Sequence, residues 1–325
     1  MNNFKYTKAF NSIQKAKNIL LVTHVRPDGD AISSLLAMSE LMEILDKKYT
    51  PFCHYEIETI YSYLPLFENI INDKEKINFS EFDLIISLDC GSIQRTDLQI
   101  EIENKNDNQS IIEFDHHPLV DDYADIEIRD SLAASTTEVL YTFFKENKIR
   151  INKNIANCIL TGVLTDTGNF LYPSTSEKTL LISSEMLIKG AQLPQVIKKT
   201  TYNKSLGAMR LWGMALSNLR INKKYNLAYS ILTIDEMKEI DGHEDINNDI
   251  YTSISGYISN LHNVRGVLLL REEEGNRLKG SIRSSHPTAD ISKLARALGG
   301  GGHPKSSGFV IEGKLENQNS NYHIS

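Results

Sequence analysis

No apolar run in this 325-residue chain approaches the roughly 18 residues needed to cross a bilayer, and mean hydropathy is -0.30. The start, Met1-Asn2-Asn3-Phe4-Lys5, lacks an apolar signal core, so no membrane partner is expected and a cytoplasmic location is the simple reading. Cysteine is scarce. Cys53, Cys90 and Cys158 are scattered and odd in number, which excludes a disulfide framework and a Cys-x-x-Cys metal site. Positive charge is short as well. The net charge is -7 and the pI ≈ 5.8, whereas a protein that grips long duplex nucleic acid carries a basic footprint. Residues 261–310 depart from this, with eight Lys/Arg against four Asp/Glu. Such a local excess can hold a small anion or be an ordinary surface.

Hydrophobic residues make up 41% of the chain and charged residues 24%, the balance of a soluble globular protein. At 325 residues, two domains are the default. The pattern of elements predicts an α/β fold. A domain over residues 1–190 has a mainly parallel sheet flanked by helices, and a helical connector spans 191–222. A smaller α/β domain follows over 223–325, ending in a frayed tail from Glu316.

Within the first domain, apolar runs end repeatedly in Asp or His. Ile19 to Thr23 leads to His24, Leu84 to Leu88 to Asp89, and Ile111 to Phe114 to Asp115-His116-His117. Continuous apolar runs of this length read as parallel strands buried on both faces. The polar residues then fall at the carboxyl ends of the strands, where open α/β sheets bind ligands. A fourth run, Ile159 to Leu164, leads to Asp166 and is long enough for helix. Pro27 and Gly29 make His24 to Ala31 a turn into a helix that Asp30 could cap, and Asp28 alone could be a turn residue. Ser135-Thr136-Thr137-Glu138 reads as another helix start, and 101–109 as an exposed polar loop.

Two groups carry chemistry. The first is His24, Asp28, Asp30, Asp89, His116 and Asp166. Four carboxylates on one sheet edge repel unless a compensating charge is present, and two divalent cations roughly 3.5–4 Å apart supply it. Water held between such cations becomes a nucleophile near neutral pH, with phosphorus the natural electrophile. Asp115 and His117 are the catalytic candidates: Asp115 could orient an imidazole, and His117 is suited to contact a phosphoryl oxygen or assist a leaving group. The second group is Gly300, Gly301, Gly302 and His303 with Arg265 and Arg283. Glycine N–H groups and guanidinium forks suit phosphate, although a glycine run equally describes a flexible loop.

His24-x-x-Pro27-Asp28-x-Asp30, Asp89, Asp115-His116-His117 and Asp166-Thr167-Gly168, in that order, resemble the motifs of the DHH phosphoesterase family. The Gly300 to His303 run resembles the family's associated C-terminal nucleotide-binding domain. Within the family the chain is most similar to the group of bifunctional oligoribonucleases (nanoRNases) and pAp phosphatases. The resemblance implies one cation held by His24, Asp28 and Asp89 and another by Asp30, Asp89, His116 and Asp166, with Asp89 bridging. Manganese is the implied ion and magnesium the alternative. Arg283 and Gly300 to His303 are implied to hold the substrate's other phosphate and base. The implied reaction is hydrolysis of very short oligonucleotides, or of the 3′-phosphate of 3′-phosphoadenosine 5′-phosphate (pAp), with a homodimer as one open assembly. Hydrolysis of linear or cyclic dinucleotides, hydrolysis of inorganic pyrophosphate and a non-catalytic nucleotide-binding role are the competing readings. The sequence departs from the family at Ser33, often glycine, and at Lys305-Ser306-Ser307, where small, alanine-rich residues are more common.

Overall fold

A computed structural model describes residues 2–324 apart from Glu56, Asn203, Asp241, 243–245, Asn247 and 319–320. It divides into two compact units, Met1–Tyr202 and Asn203–Ser325.

The first unit contains helix α1 (Asn2–Lys15), strand β1 (Asn18–Thr23), α2 (Gly29–Ile44), β2 (Lys48–Phe52), β3 (Leu84–Leu88) and α3 (Gln99–Glu103). These are followed by β4 (Ser110–Asp115), β5 (Ile126–Arg129), α4 (Thr136–Glu146), α5 (Lys153–Asp166), α6 (Glu177–Ile188) and α7 (Leu193–Thr200). The five strands form one parallel sheet in the order β2-β1-β3-β4-β5. The chain leaves β1 toward one edge and returns to its other side for β3, so a topological switch point lies between β1 and β3.

The apolar runs are buried on both faces because strand side chains alternate. Ile19, Leu21, Ile86, Ile112 and Phe114 enter a large core with α1, α2, α4 and α5. Leu20, Val22, Ile85 and Ile111 enter a smaller one with Phe52, Phe82, Ile93, Leu98 and Ile102. Short turns and α3 cover that second face, so the segment expected as a polar loop holds a helix that buries Ile102, and Gln109 is buried too. The run Ile159 to Asp166 is helix, so Asp166 arrives on the last residue of α5 rather than from a strand.

The second unit contains α8 (Leu206–Ser217), β6 (Arg220–Asn222), β7 (Leu227–Leu232), α9 (Ile234–Lys238), α10 (Asn248–Ile258), β8 (Gly266–Glu273) and β9 (Arg277–Arg283). After them come α11 (Ser292–Ala297), β10 (Gly301–His303), β11 (Ser306–Glu312), β12 (Leu315–Gln318) and β13 (Asn321–Ile324). Six strands form a mixed sheet, β10-β11-β9-β8-β7-β6, in which β7 and β8 are parallel. The expected frayed tail is instead the antiparallel pair β12 and β13. Its polar sequence hid the pairing, because backbone hydrogen bonds leave no apolar alternation to read.

Candidate metal centre

The turn after β1 begins the site. His24 is buried, and its Nδ1 donates to the Val25 carbonyl at 2.9 Å. That bond fixes the tautomer and leaves Nε2 as a bare acceptor, 3.8 Å from Asp89 Oδ2 and 4.0 Å from Asp28 Oδ2. Nε2 is buried with no hydrogen-bond partner. Burial and then the nearby Arg95 charge push the His24 imidazole below its ordinary range, toward the neutral form.

Asp28, not Asp30, caps α2. Its Oδ1 accepts from Asp30 N and Ala31 N, both at 3.1 Å, while Oδ2 faces His24. Asp30 is turned inward instead, onto the start of α4. Its carboxylate accepts from Thr136 N at 2.6 Å, Thr137 N at 3.1 Å and Thr137 Oγ1 at 2.9 Å. Two unsatisfied first-turn N–H groups of a helix thus find an anion, as the helix dipole favours. Burial, then the carboxylates of Asp89 and Asp166, hold the Asp30 carboxyl well above its ordinary range.

Asp89 directly follows β3 with φ of 61°, a left-handed conformation that Asp tolerates better than most residues but still at some strain. It is the hub. Oδ1 accepts from Thr136 Oγ1 at 2.7 Å and lies 3.6 Å from His116 Nε2 and 3.4 Å from His117 Nδ1. Burial alone would raise its pKa, but His117, His116 and His24 outweigh burial and hold it below the ordinary carboxylate range. His116 repeats the logic of His24: Nδ1 faces the Ala133 carbonyl at 3.3 Å and Nε2 faces Asp166 Oδ2 at 3.3 Å.

Asp115 sits one layer deeper. Oδ2 accepts from Gly91 N at 2.6 Å, and Oδ1 accepts from His117 N at 2.7 Å and His117 Nδ1 at 2.9 Å. Burial opposes its ionisation, but the His117 bonds and the Arg129 charge prevail and lower its pKa. Conversely, burial would lower the His117 pKa, and its bonds to Asp115 and Asp89 raise it well above the ordinary value.

The six expected ligand residues therefore converge. Donor atoms of His24, Asp28 and Asp89 lie within 4.8 Å of one another, as do those of Asp30, His116 and Asp166, and those of Asp89, Asp115 and His117. Each of these groups could hold a metal ion. The residues fit a divalent cation on two grounds. A buried imidazole nitrogen without a partner is aimed at carboxylates, and burial, then the Asp89 and Asp166 carboxylates, raise the Asp30 pKa, a strain that a bound cation would offset.

Reading the sequence missed Thr136 and Thr137 as site residues. Ser-Thr-Thr-Glu was legible as a helix cap, and Ser135 does accept from Glu138 N at 3.2 Å. The same start supplies two N–H groups and two hydroxyls to the acidic cluster. A helix N-terminus is an anion site, which was the available signal. Gly162 on α5 makes the approach possible. A Cβ there would lie 2.5 Å from Asp30 Oδ1 and would also strike Thr137. Gly162→Ala is therefore expected to cost about 1–3 kcal/mol of stability through overpacking and to lower turnover by displacing Asp30. Thermal melts and steady-state rates check this; an unchanged melting temperature would contradict the close approach.

In the second unit, Arg283 ends β9 and pairs with Ser306 of β11, which in turn pairs with His303 of β10. Arg265 immediately precedes β8, so Arg265, Arg283 and His303 share one end of that sheet. Part of the glycine run is strand, since Gly301 and Gly302 lie in β10. Gly302 has φ of 130°, and a Cβ there would lie 2.6 Å from the Ser306 carbonyl oxygen. Lys305 Nζ donates to the carbonyls of His286, Pro287 and Ala289, which ties down the loop after β9.

Carboxylates and imidazoles gather at the switch point of the parallel sheet of an α/β protein, the edge where open α/β sheets bind ligands, in groups that could hold a metal ion. The chain belongs to the DHH family: residues 18–163 match the DHH family, N-terminal domain, and residues 224–321 match the DHHA1 domain. It is 28% identical over 308 residues to the bifunctional oligoribonuclease and PAP phosphatase NrnA of Bacillus subtilis, covering 94% of this chain and 93% of that protein. It is 27% identical over 295 residues to the protein of the same name from Thermus thermophilus, covering 91% and 84%. Among solved structures it is similar to an exopolyphosphatase-related protein from Bacteroides fragilis, with a TM-score of 0.84 and 27% identity, covering 96% and 92%. Among the described residues, no helix is long and apolar enough to cross a membrane.

Proposed function

We propose that this protein is a metal-dependent phosphohydrolase that cleaves very short oligonucleotides and removes the 3′-phosphate of pAp. The observation that carries the reading is the double cluster about Asp89, with His24 and Asp28 on one side and Asp30, His116 and Asp166 on the other. His24, Asp28 and Asp89 would hold one divalent cation, and Asp30, Asp89, His116 and Asp166 a second, manganese being the expected ion. Bound cations supply Lewis acidity that offsets phosphoryl charge and makes water acidic near neutral pH. Hydrolysis breaks the P–O bond to the leaving group, which takes up a proton as water oxygen joins phosphorus. His117, oriented by Asp115, would donate a hydrogen bond to a phosphoryl oxygen or the proton to the leaving oxygen. Arg265, Arg283 and the Gly300 to His303 segment would hold the substrate's other phosphate and its base. The named relatives and the phosphate chemistry of the donor set support this reading.

The test is a substrate panel with manganese or magnesium: pAp, oligonucleotides of about two to five residues, linear and cyclic dinucleotides, and pyrophosphate. Turnover of short oligonucleotides or pAp is expected. Activity confined to pyrophosphate would overturn the reading. His303→Ala is expected to raise KM while leaving manganese affinity unchanged, and calorimetric loss of bound manganese in that variant would contradict the division of roles.

A further inference from the structure

Behind the Asp115-His116-His117 turn lies a buried polar network that the ligand set does not use. Arg129, the last residue of β5, pairs in register with Asp115 of β4, and its side chain is 9% exposed. Its guanidinium is committed in three directions. Nε donates to Glu127 Oε1 at 2.7 Å, one terminal nitrogen donates to Glu113 Oε2 at 2.7 Å, and the other donates to the His117 carbonyl at 2.6 Å. The last nitrogen also lies 3.7 Å from Asp115 Oδ1. Glu113 is itself anchored, accepting from Tyr123 Oη at 2.8 Å, and that oxygen is 2.8 Å from Ser87 Oγ of β3. The network ties three adjacent strands together immediately beneath the turn. A charged trio at this depth is costly to bury, so its retention at one backbone carbonyl calls for an account.

We propose that Arg129 is a positioning residue for His117. Held in plane by Glu113 and Glu127, it fixes the main chain of the Asp115 to His117 turn, so that the His117 ring keeps the orientation its bond to Asp115 sets. The planar fork is what the role requires. It meets two carboxylates and one carbonyl at once, a pattern that lysine, with a single nitrogen, cannot reproduce. The His116 ring has an anchor of its own in the Ala133 carbonyl, 3.3 Å from Nδ1, whereas the guanidinium bonds the His117 carbonyl directly. The inference rests on the phosphohydrolase reading only in giving His117 a task; the clamp itself is a statement about ring orientation.

The experiment compares the wild type with Arg129→Met, Arg129→Lys and the double variant Glu113→Gln/Arg129→Met. Arg129→Met is expected to lower kcat about 10–100-fold, the usual effect of removing a residue that orients a working group, with KM and manganese affinity unchanged. Arg129→Lys should recover part of kcat. Arg129→Met alone leaves Glu113 buried without its partner and is expected to lose stability. The double variant removes that charge and should regain melting temperature without regaining kcat. If kcat returns together with melting temperature, Arg129 serves stability alone and the proposal fails; it fails equally if Arg129→Met keeps wild-type kcat. Ring ¹⁵N resonances of His117 in the magnesium-loaded protein give a readout independent of activity. They are expected to move in Arg129→Met, and an unmoved signal would overturn the proposal. A wild type inert on the whole panel would sink the functional reading, while the imidazole signal would still decide the clamp.

Discussion

Asp30→Asn is expected to abolish turnover, and Asp166→Asn to do the same. Each removes one negative charge from the group that would hold a cation with His116. The loss should exceed the roughly 10–100-fold seen when only a partner of a ligand is removed. The two variants differ in their structural cost. Both oxygens of Asp30 accept hydrogen bonds from the start of α4. An Asn amide there sets N–H against N–H, which costs about 1–3 kcal/mol. Asp166 is 28% exposed at the end of α5 and faces His116 at 3.3 Å, so its Asn variant isolates the ligand charge with less disturbance. Calorimetric manganese affinity and kcat with manganese saturating check both. Wild-type turnover in Asp166→Asn under saturation would remove that carboxylate from the chemistry.

Asp115→Asn is expected to lower kcat about 10²–10⁴-fold, the range that proton transfer by a positioned side chain supplies, while manganese still binds. Asp115 contributes by what it receives: Gly91 N, His117 N and His117 Nδ1 all donate to it. An amide in its place must turn a donor toward one of these donors. The His117 ring then loses either its tautomer or its angle, and the turn after β3 loosens. A pre-steady-state rate measurement on the manganese-loaded variant separates this loss of proton transfer from loss of substrate. Unchanged chemistry with a raised KM would contradict the orienting role.

The sheet and the cluster of His and Asp residues at its edge were legible because both leave strong local signals. A run such as Ile19 to Val22 has no polar face, so it reads as a buried parallel strand, and the polar residues that follow must then lie at the sheet's carboxyl edge. The segment before Asp166 was harder, because a short apolar run suits helix and strand alike until its length decides. Asp30 read as a helix cap on propensity, and Asp28 two residues earlier took that place. Propensity ranks these residues equally at a cap, and the choice fell to the tertiary partner, α4, more than a hundred residues away. Thr136 and Arg129 were hidden for the same reason. Threonine at a helix start and arginine on an edge strand are ordinary locally, and only the sheet order brings them to Asp89 and His117.

Six side chains between His24 and Asp166 are proposed to cage divalent cations. Anomalous diffraction from a crystal soaked in manganese tests it most directly. Two manganese peaks are expected, one bounded by His24, Asp28 and Asp89 and the other by Asp30, His116, Asp166 and the same Asp89. Manganese bound elsewhere, with these side chains turned away from one another, would contradict the account.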